Sequence, residues 1–210
     1  MTGLVPRRAI GEPPAAAVAS HGEAILTRVG VEPSVDAEAL AIGILADVDG
    51  PFHDRLRAGL GMLLRAVAER RAQLGTAAAC RLIGLGPGAT PLGDDYLAAC
   101  ALAVARLGGA AGFARPERDA WLRSLLPQRL GKATTPVSAH LIADAVRGFA
   151  PPPAHALFEL DANEIRLETA IERLAGIGAT SGHGWAAAIG ATALLLAVDH
   201  DKRARGEALR

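Results

Sequence analysis

Apolar residues recur at three- and four-residue steps along much of the chain, and this spacing is typical of amphipathic helices. The longest run of this kind covers residues 52–75. Its apolar positions are Phe52, Leu56, Leu60, Leu63, Leu64 and Val67, and its charged positions are Arg55, Arg65, Glu69 and Arg70. Because the two sets fall on opposite faces at helical periodicity, the run predicts one long helix that ends at Gly75.

Capping signals predict two shorter helices before this run. Ser20 and Glu23 fit a capping box, with His21 expected at the surface beside the cap. Ser34 begins the second of these helices. The proline-rich segment before Ser20 contains neither a helical pattern nor visible chemistry, so residues 1–19 are predicted to form an irregular arm.

Prolines mark several later elements. Pro116 and Pro136 each suit the first turn of a helix, and the three prolines at 151–153 predict a rigid connector to a further helical pair before residue 174. The segment 77–85 is apolar apart from Arg81 and fits either a short strand or the end of a buried helix, because periodicity alone does not separate the two at this length.

Composition favours a mainly α protein. Half of the 210 residues are hydrophobic while aromatic residues contribute 3%, so closely packed helices with small residues at their contacts are expected. The predicted fold is a compact helical domain in which glycine-rich loops open helices, with one or two short strands as the remaining alternative. Its predicted divisions are the arm at 1–19, a single helical domain at 20–200 and a charged tail at 201–210.

Charge and sorting signals limit the partners and the location. The 22 basic and 22 acidic residues give a formal net charge of zero and form no basic run, which disfavours nucleic acid as a partner. The N-terminus has no apolar signal region, and the longest apolar stretch, residues 185–198, is too short to cross a membrane. With only Cys80 and Cys100, both expected to be reduced thiols, the chain is predicted to be cytoplasmic.

A glycine-rich loop at residues 84–93 is the first candidate for chemistry. Four glycines and two prolines in ten residues give a shaped backbone with positive φ available at several points. Either Asp94 or Asp95 can cap the helix that follows, so backbone N–H groups are expected to converge on a small anion. The two carboxylates would repel that anion unless a cation such as Mg²⁺ or a bound proton lies between them.

A purely structural interpretation of this loop stays open. Glycine-rich turns into helices are common, and Asp is an ordinary helix cap. The loop also differs from the two best-known phosphate-binding motifs: no Gly-Lys-Ser/Thr follows it, and the dinucleotide fingerprint is interrupted by Pro87.

Two further hydroxyl-rich segments resemble anion-binding helix starts. Residues 134–138 read Thr-Thr-Pro-Val-Ser, and residues 176–184 form a second glycine-rich loop before an apolar helix. This late loop repeats the Gly-Ala-Thr of the first loop but has no carboxylates, so acid or metal chemistry is expected from Asp94 and Asp95 alone. The expected hydroxyl donors are Thr90, Thr135, Ser138, Thr180 and Ser181.

In combination these segments resemble the AllH-like family. The resemblance rests on Gly-Leu-Gly-Pro-Gly-Ala-Thr-Pro-Leu-Gly-Asp-Asp-Tyr at 84–96, on the helix start at 134–138 and on Gly-Ala-Thr-Ser-Gly at 178–182. It covers residues 50–198 in the same order and is weak before residue 50. Three positions depart from the usual pattern: Ala89 and Leu92 replace a Leu and a Ser in the first loop, and Gly184 stands where an Asp is usual, beside His183.

The resemblance implies the small subunit of an oxamate carbamoyltransferase from purine catabolism, active in complex with an FdrA-type subunit, which resembles acyl-CoA synthetases, and an AllG-type subunit. It implies a reaction between carbamoyl phosphate and oxamate. From the residues themselves, we expect Asp94 and Asp95 to be catalytic and to hold Mg²⁺ or orient a substrate amide. The expected substrate-binding residues are Gly86, Gly88, Thr90, Gly93, Thr135, Ser138, Thr180, Ser181 and His183. A non-catalytic anion-binding or regulatory subunit is the alternative, and a homo-oligomer is compatible with both.

Overall fold

The computed structural model describes residues 15–128, 130–149, 151–160, 164–177 and 181–204, without the side chains of Ala156 and of 198–204. These ranges are helical and contain no strand, which confirms the mainly α prediction. The helices are α1 (Ala15–Arg28), α2 (Ala37–Ile44), α3 (His53–Ala68), α4 (Ala72–Leu82), α5 (Leu92–Leu107), α6 (Arg115–Ser124), α7 (Leu130–Ala133), α8 (Pro136–Val146), α9 (Pro152–Ala156), α10 (Glu164–Ala175) and α11 (Ser181–Ala204).

Helices α5 and α11 form the centre of the fold. In α5 every residue from Gly93 to Val104 is buried, and α11 is buried from Gly184 to Ala197. They pack against each other, with α1 on α11 and α8 on α5. Alanine supplies many of the contacts, so the backbones approach closely and few aromatic side chains are needed to fill the core.

The prediction of one helix up to Gly75 is wrong, because the chain breaks between α3 and α4. At the break Arg70 has φ 53°, the one positive φ at a non-glycine residue in the described part of the chain. Its guanidinium donates to the carbonyls of Ala111 at 2.7 Å and Gly112 at 2.8 Å and lies 5.0 Å from the centre of the Phe113 ring. These distant contacts hold a conformation that the local sequence does not encode.

The segment 77–85 is helical as far as Leu82, where α4 ends, and the strand alternative is therefore excluded. The connector at 151–153 is also partly helical, since α9 begins at Pro152. None of the described helices is both long and apolar enough to cross a bilayer.

The predicted boundary of the N-terminal arm is wrong. Residues 15–19 belong to α1, where Val18 is fully buried, and the predicted capping box lies in the middle of that helix. His21 is also buried, and its Nε2 contacts the Leu157 carbonyl at 2.5 Å. Burial lowers the pKa of His21, which favours a neutral ring that donates to this carbonyl. Residues 1–14 and 205–210 lie outside the described residues, while residues 201–204 of the predicted tail continue α11.

Helices α1 and α11 cross at two glycines. A Cβ atom on Gly22 would lie 2.7 Å from both the Gly190 carbonyl oxygen and the Leu194 nitrogen. We expect Gly22→Ala to lower the free energy of unfolding by up to about 2 kcal/mol, because overpacking costs about 1–3 kcal/mol and the gain in helix propensity returns about 1 kcal/mol. Chemical denaturation followed by circular dichroism measures this change.

Gly131 provides the matched control for this substitution. It lies in the exposed helix α7, and no atom stands within 4 Å of a Cβ built on it. Gly131→Ala should leave stability unchanged or raise it by up to about 1 kcal/mol. If Gly22→Ala stabilised the protein as much as the control, the close crossing of α1 and α11 would be contradicted.

Candidate functional site

The central loop, residues 83–91, joins α4 to α5 and is shaped by glycines. Gly84, Gly86 and Gly88 have φ values of 72°, 119° and 97°, a region that side-chain-bearing residues rarely adopt. At Gly84 a Cβ would also lie 2.5 Å from the Ala133 carbonyl oxygen. At Gly93, in the first turn of α5, a Cβ would lie 2.2 Å from the Leu82 carbonyl oxygen. The loop therefore fits closely between α4, α5 and α7.

Asp94 fastens this loop to its neighbours. Its side chain is 2% exposed, Oδ1 accepts a hydrogen bond from the Gly84 N–H at 2.8 Å, and Oδ2 accepts one from the Thr134 hydroxyl. The predicted capping role is wrong, since the N-cap of α5 is Pro91 and no side chain caps the helix. Both carboxylate oxygens serve to position the loop and the start of α8.

Thr135 connects α8 to the same loop. Its hydroxyl oxygen accepts from the Ser138 N–H at 3.1 Å, as predicted for a helix cap, and its O–H donates to the Ala89 carbonyl at 2.6 Å. Ser138 is buried, and its Oγ has no hydrogen-bond partner within the described residues. Two adjacent threonines thus hold the loop from the side of α8.

Asp95 has a different environment from its neighbour. It is 3% exposed, and Oδ1 accepts a hydrogen bond from the Trp185 indole N–H at 3.2 Å. Oδ2 is buried without a partner among the residues that the structure describes. Burial raises the pKa of Asp95 to about 6, the polar side chains of Ser181 and Trp185 nearby oppose this rise, and the charge of Asp94 adds to it.

The Asp95 carboxyl lines a small cavity of about 100 Å³ between the start of α5, α8 and the start of α11. Most of the lining is apolar, and the polar side chains are those of Thr90, Asp95 and Ser181, with the Trp185 indole beside them. The lining residues are Thr90, Asp95, Leu141, Pro151, Leu174, Ile177, Ser181, Gly182 and Trp185. An unpaired buried carboxylate oxygen in such a cavity is costly unless a donor enters it.

The other predicted site residues do not all lie at the Asp95 cavity. Ser181 lines the cavity, but it begins α11, so the predicted loop at 181–184 is helical. His183 is exposed and lines a second cavity, of about 210 Å³, with Tyr96 and Asp47. Gly178 and Thr180 lie outside the described residues.

Trp185 is the functional candidate that the sequence interpretation missed. It occupies the first turns of α11 directly after the late loop, and a buried indole N–H usually finds an acceptor. That requirement is a signal in the sequence, although the acceptor, Asp95, lies 90 residues away.

The backbone at the start of α5 leaves fewer free N–H groups than predicted. The N–H groups of Gly93, Asp94 and Asp95 donate to the carbonyls of Leu85 and Pro91. By contrast, the N–H groups of Gly86, Gly88 and Thr90 have no partner among the described residues. Gly86, Gly88 and Thr90 in the loop therefore offer free backbone donors, whereas Gly93, Asp94 and Asp95 at the start of α5 do not.

Metal binding at Asp94 and Asp95 stays a prediction. Among the described residues no group of three or more His, Cys, Asp or Glu side chains is placed to hold an ion. Asp95 Oδ2 is the one oxygen of the pair without a hydrogen bond to a described residue. Mg²⁺ often takes one or two protein carboxylates together with water and substrate phosphates, so a single free carboxylate oxygen fits an ion carried by a phosphate ligand.

Comparison with known protein families gives one match. A family model described as "Oxamate carbamoyltransferase subunit AllH" matches residues 82–194, which is more than half of the chain. The match begins at the end of α4 and includes the central loop, α8 and the start of α11. Searches of curated proteins and of solved structures returned no significant match.

Proposed function

The chain belongs to the family of oxamate carbamoyltransferase subunit AllH, and from this membership we propose that the Asp95 cavity binds a small substrate of carbamoyl transfer. The proposal is carried by the buried Asp95 carboxyl: the residue lines that cavity, and its Oδ2 has no partner among the described residues. Oxamate and carbamoyl phosphate both have an amide NH₂ group, and an N–H donor is what a buried carboxylate oxygen lacks.

The size of the cavity supports a small ligand. A volume of about 100 Å³ is several times the roughly 30 Å³ that a water molecule occupies in the liquid and well below the roughly 300–1,000 Å³ of drug-sized sites. It suits a molecule of a few heavy atoms, such as oxamate or the carbamoyl group of carbamoyl phosphate.

The central loop would bind the negatively charged part of the substrate. Thr90 belongs both to this loop and to the cavity lining, so a ligand beside Asp95 lies within reach of the loop. The N–H groups of Gly86, Gly88 and Thr90 supply donors without a fixed partner among the described residues. Backbone N–H groups that are held in place stabilise anions without a cationic side chain.

Asp95 on one side of the site and the phosphate-binding loop on the other indicate how carbamoyl transfer would proceed. In carbamoyl transfer the amide nitrogen of oxamate attacks the carbonyl carbon of carbamoyl phosphate, the nitrogen loses a proton and phosphate leaves. Asp95 would accept a hydrogen bond from the attacking nitrogen and take up its proton, since a pKa of about 6 suits a general base near neutral pH. In the alternative role, Asp95 would instead hold a Mg²⁺ ion, and that ion would neutralise the charge of the leaving phosphate.

Reconstitution with the companion subunits tests this proposal. We expect oxamate-dependent release of phosphate from carbamoyl phosphate, and a decrease in kcat of about 10²–10⁴-fold for Asp95→Asn. Asp49→Asn, which changes an exposed carboxyl outside the cavity lining, is the control and should retain full activity. Equal rates for the two variants would contradict a role for Asp95 in transfer.

A binding subunit without chemistry of its own is the second candidate. It is favoured by one observation: the described residues that line the cavity include no Lys, Arg or His. This alternative predicts that Asp95→Asn weakens substrate binding while kcat at saturating substrate stays within about twofold of wild type.

A further inference from the structure

We propose that a companion subunit of the same enzyme docks on the apolar surface around the Asp95 cavity and places a lysine or arginine side chain at the cavity mouth. The surface consists of Val137, Leu141, Phe149, Pro151 and Ile177, and is called the α8 surface below. The inference rests on the proposed function, since it names the surface that would complete the site.

The α8 surface combines exposure with continuity to the cavity. Val137, Phe149 and Ile177 are 53%, 62% and 43% exposed, and they make up half of the large hydrophobic side chains that are exposed in the described part of the chain. A groove of about 580 Å³ runs between Val137, Leu141, Phe149 and Pro151. Leu141 and Pro151 line the cavity as well, so a chain seated in the groove would lie directly over it.

The charged side chains around the cavity and the groove indicate which kind of side chain the companion subunit would supply. The described residues that line the cavity and the groove include two carboxylates, Asp95 and Asp144, one histidine, His140, and no Lys or Arg. Asp144 forms an ion pair with Arg147 at the edge of the groove. Asp95, in contrast, has no cationic partner within hydrogen-bonding distance in the described structure. An anionic ligand beside Asp95 would add a further negative charge in a buried place. The loop N–H groups would offset part of this charge, and a cation supplied from outside this chain would offset the rest.

A second copy of the chain does not meet this requirement. A symmetric dimer through the α8 surface would bring the same acidic linings together, and the arginine at the edge of the groove, Arg147, is already paired with Asp144. A different subunit with apolar side chains for the groove and a basic side chain for the cavity provides both kinds of complementarity. Membership in a family of enzyme subunits supplies such a partner.

Association with the purified companion subunits tests the docking surface. Sedimentation velocity should show the wild-type chain in a complex, and Phe149→Asp should raise Kd about 100-fold, as expected for an aromatic side chain at the centre of an interface. The control is Val35→Asp, which introduces the same charge at a side chain that is 60% exposed and outside the α8 surface. This variant should bind like wild type.

The Asp95→Asn variant, studied in the same association assay, tests whether the companion subunit places a basic side chain at the cavity mouth. Removing the charge should raise Kd for the companion subunits about tenfold and reduce the dependence of Kd on salt, because the basic side chain loses its partner. An unchanged Kd and salt dependence would overturn the assignment of a cation to the cavity mouth.

The outcomes separate this inference from the proposed function. Equal association of Phe149→Asp and Val35→Asp overturns the docking surface, even where the assembled enzyme transfers carbamoyl groups. A dimer of the isolated chain that Phe149→Asp dissociates also overturns it, because a second copy would then occupy the surface. Selective loss of association without any transfer by the wild-type complex supports the surface and contradicts the proposed function.

Discussion

Asp94→Ala is expected to lower the free energy of unfolding by about 3–6 kcal/mol, because it removes two hydrogen bonds to one buried carboxylate, each worth about 1.5–3 kcal/mol. The N–H of Gly84 and the hydroxyl of Thr134 lose their acceptor, and the loop loses its attachment to the start of α8. Denaturation in urea, with the midpoint and slope compared to wild type, measures the loss.

Two conservative variants separate the carboxylate from its neighbours. Asp94→Asn keeps an acceptor for Gly84 and can donate to the Thr134 oxygen, so it should cost no more than about 1–2 kcal/mol. Thr134→Val removes only one of the two hydrogen bonds, so its loss in free energy of unfolding should lie between those of Asp94→Asn and Asp94→Ala. A stability of Asp94→Ala within about 0.5 kcal/mol of wild type would show that Asp94 does not fasten the loop.

Asp95→Asn should stabilise the protein at neutral pH, in contrast to substitution of its neighbour. The folded state raises the pKa of this carboxyl from 3.8 to about 6, and each pKa unit corresponds to about 1.4 kcal/mol. Keeping Asp95 ionised therefore costs the folded state on the order of 3 kcal/mol above about pH 7. An uncharged amide avoids this cost and can still accept from Trp185.

The contribution of Asp95 to the free energy of unfolding depends on pH, and the raised pKa determines its sign. Between about pH 4 and pH 6 the folded state binds more protons at Asp95 than the unfolded state does, so this group makes stability fall as pH rises. The neutral form of buried His21 acts in the opposite direction, because its pKa is lowered and acid destabilises it. The variant-minus-wild-type difference isolates Asp95: it should grow from near zero at pH 4 to about 3 kcal/mol at pH 7.5. A difference that does not vary with pH would contradict the raised pKa.

Sequence patterns predicted the structure correctly where it depends on residues that are close together in the sequence. The Thr135 cap with Pro136 behind it predicted the start of α8 correctly, and the apolar spacing predicted most of α3. The break after α3 was missed because it depends on contacts of Arg70 with residues about forty positions away. His21 was misplaced for the same reason, since its partner Leu157 is distant in sequence.

The acidic pair shows how far local reasoning reaches at the site. Adjacent Asp residues at a helix start predict a cap or a cation site, and the sequence gives no reason to treat them differently. Successive helix positions point in different directions, so Asp94 faces Gly84 and Thr134 while Asp95 faces Trp185. The partners of Asp94 are 10 and 40 residues away and that of Asp95 is 90 residues away. Only the packing of α5 against α8 and α11 gives Asp94 its structural role and leaves Asp95 with a carboxylate oxygen that has no partner among the described residues.

The most direct test of ligand binding at Asp95 is a ¹⁹F NMR titration of the chain labelled with 5-fluorotryptophan. The two tryptophans report separately, because Trp185 lines the cavity while Trp121 is buried with its N–H bonded to the Ala66 carbonyl. Oxamate and carbamoyl phosphate would be added to the chain alone and to its complex with the companion subunits. We predict a saturable shift of the Trp185 resonance in the complex, no shift of Trp121, and loss of the response in Asp95→Asn. A Trp185 resonance that stays unmoved in both samples, or moves equally in Asp95→Asn, would contradict a substrate site at Asp95.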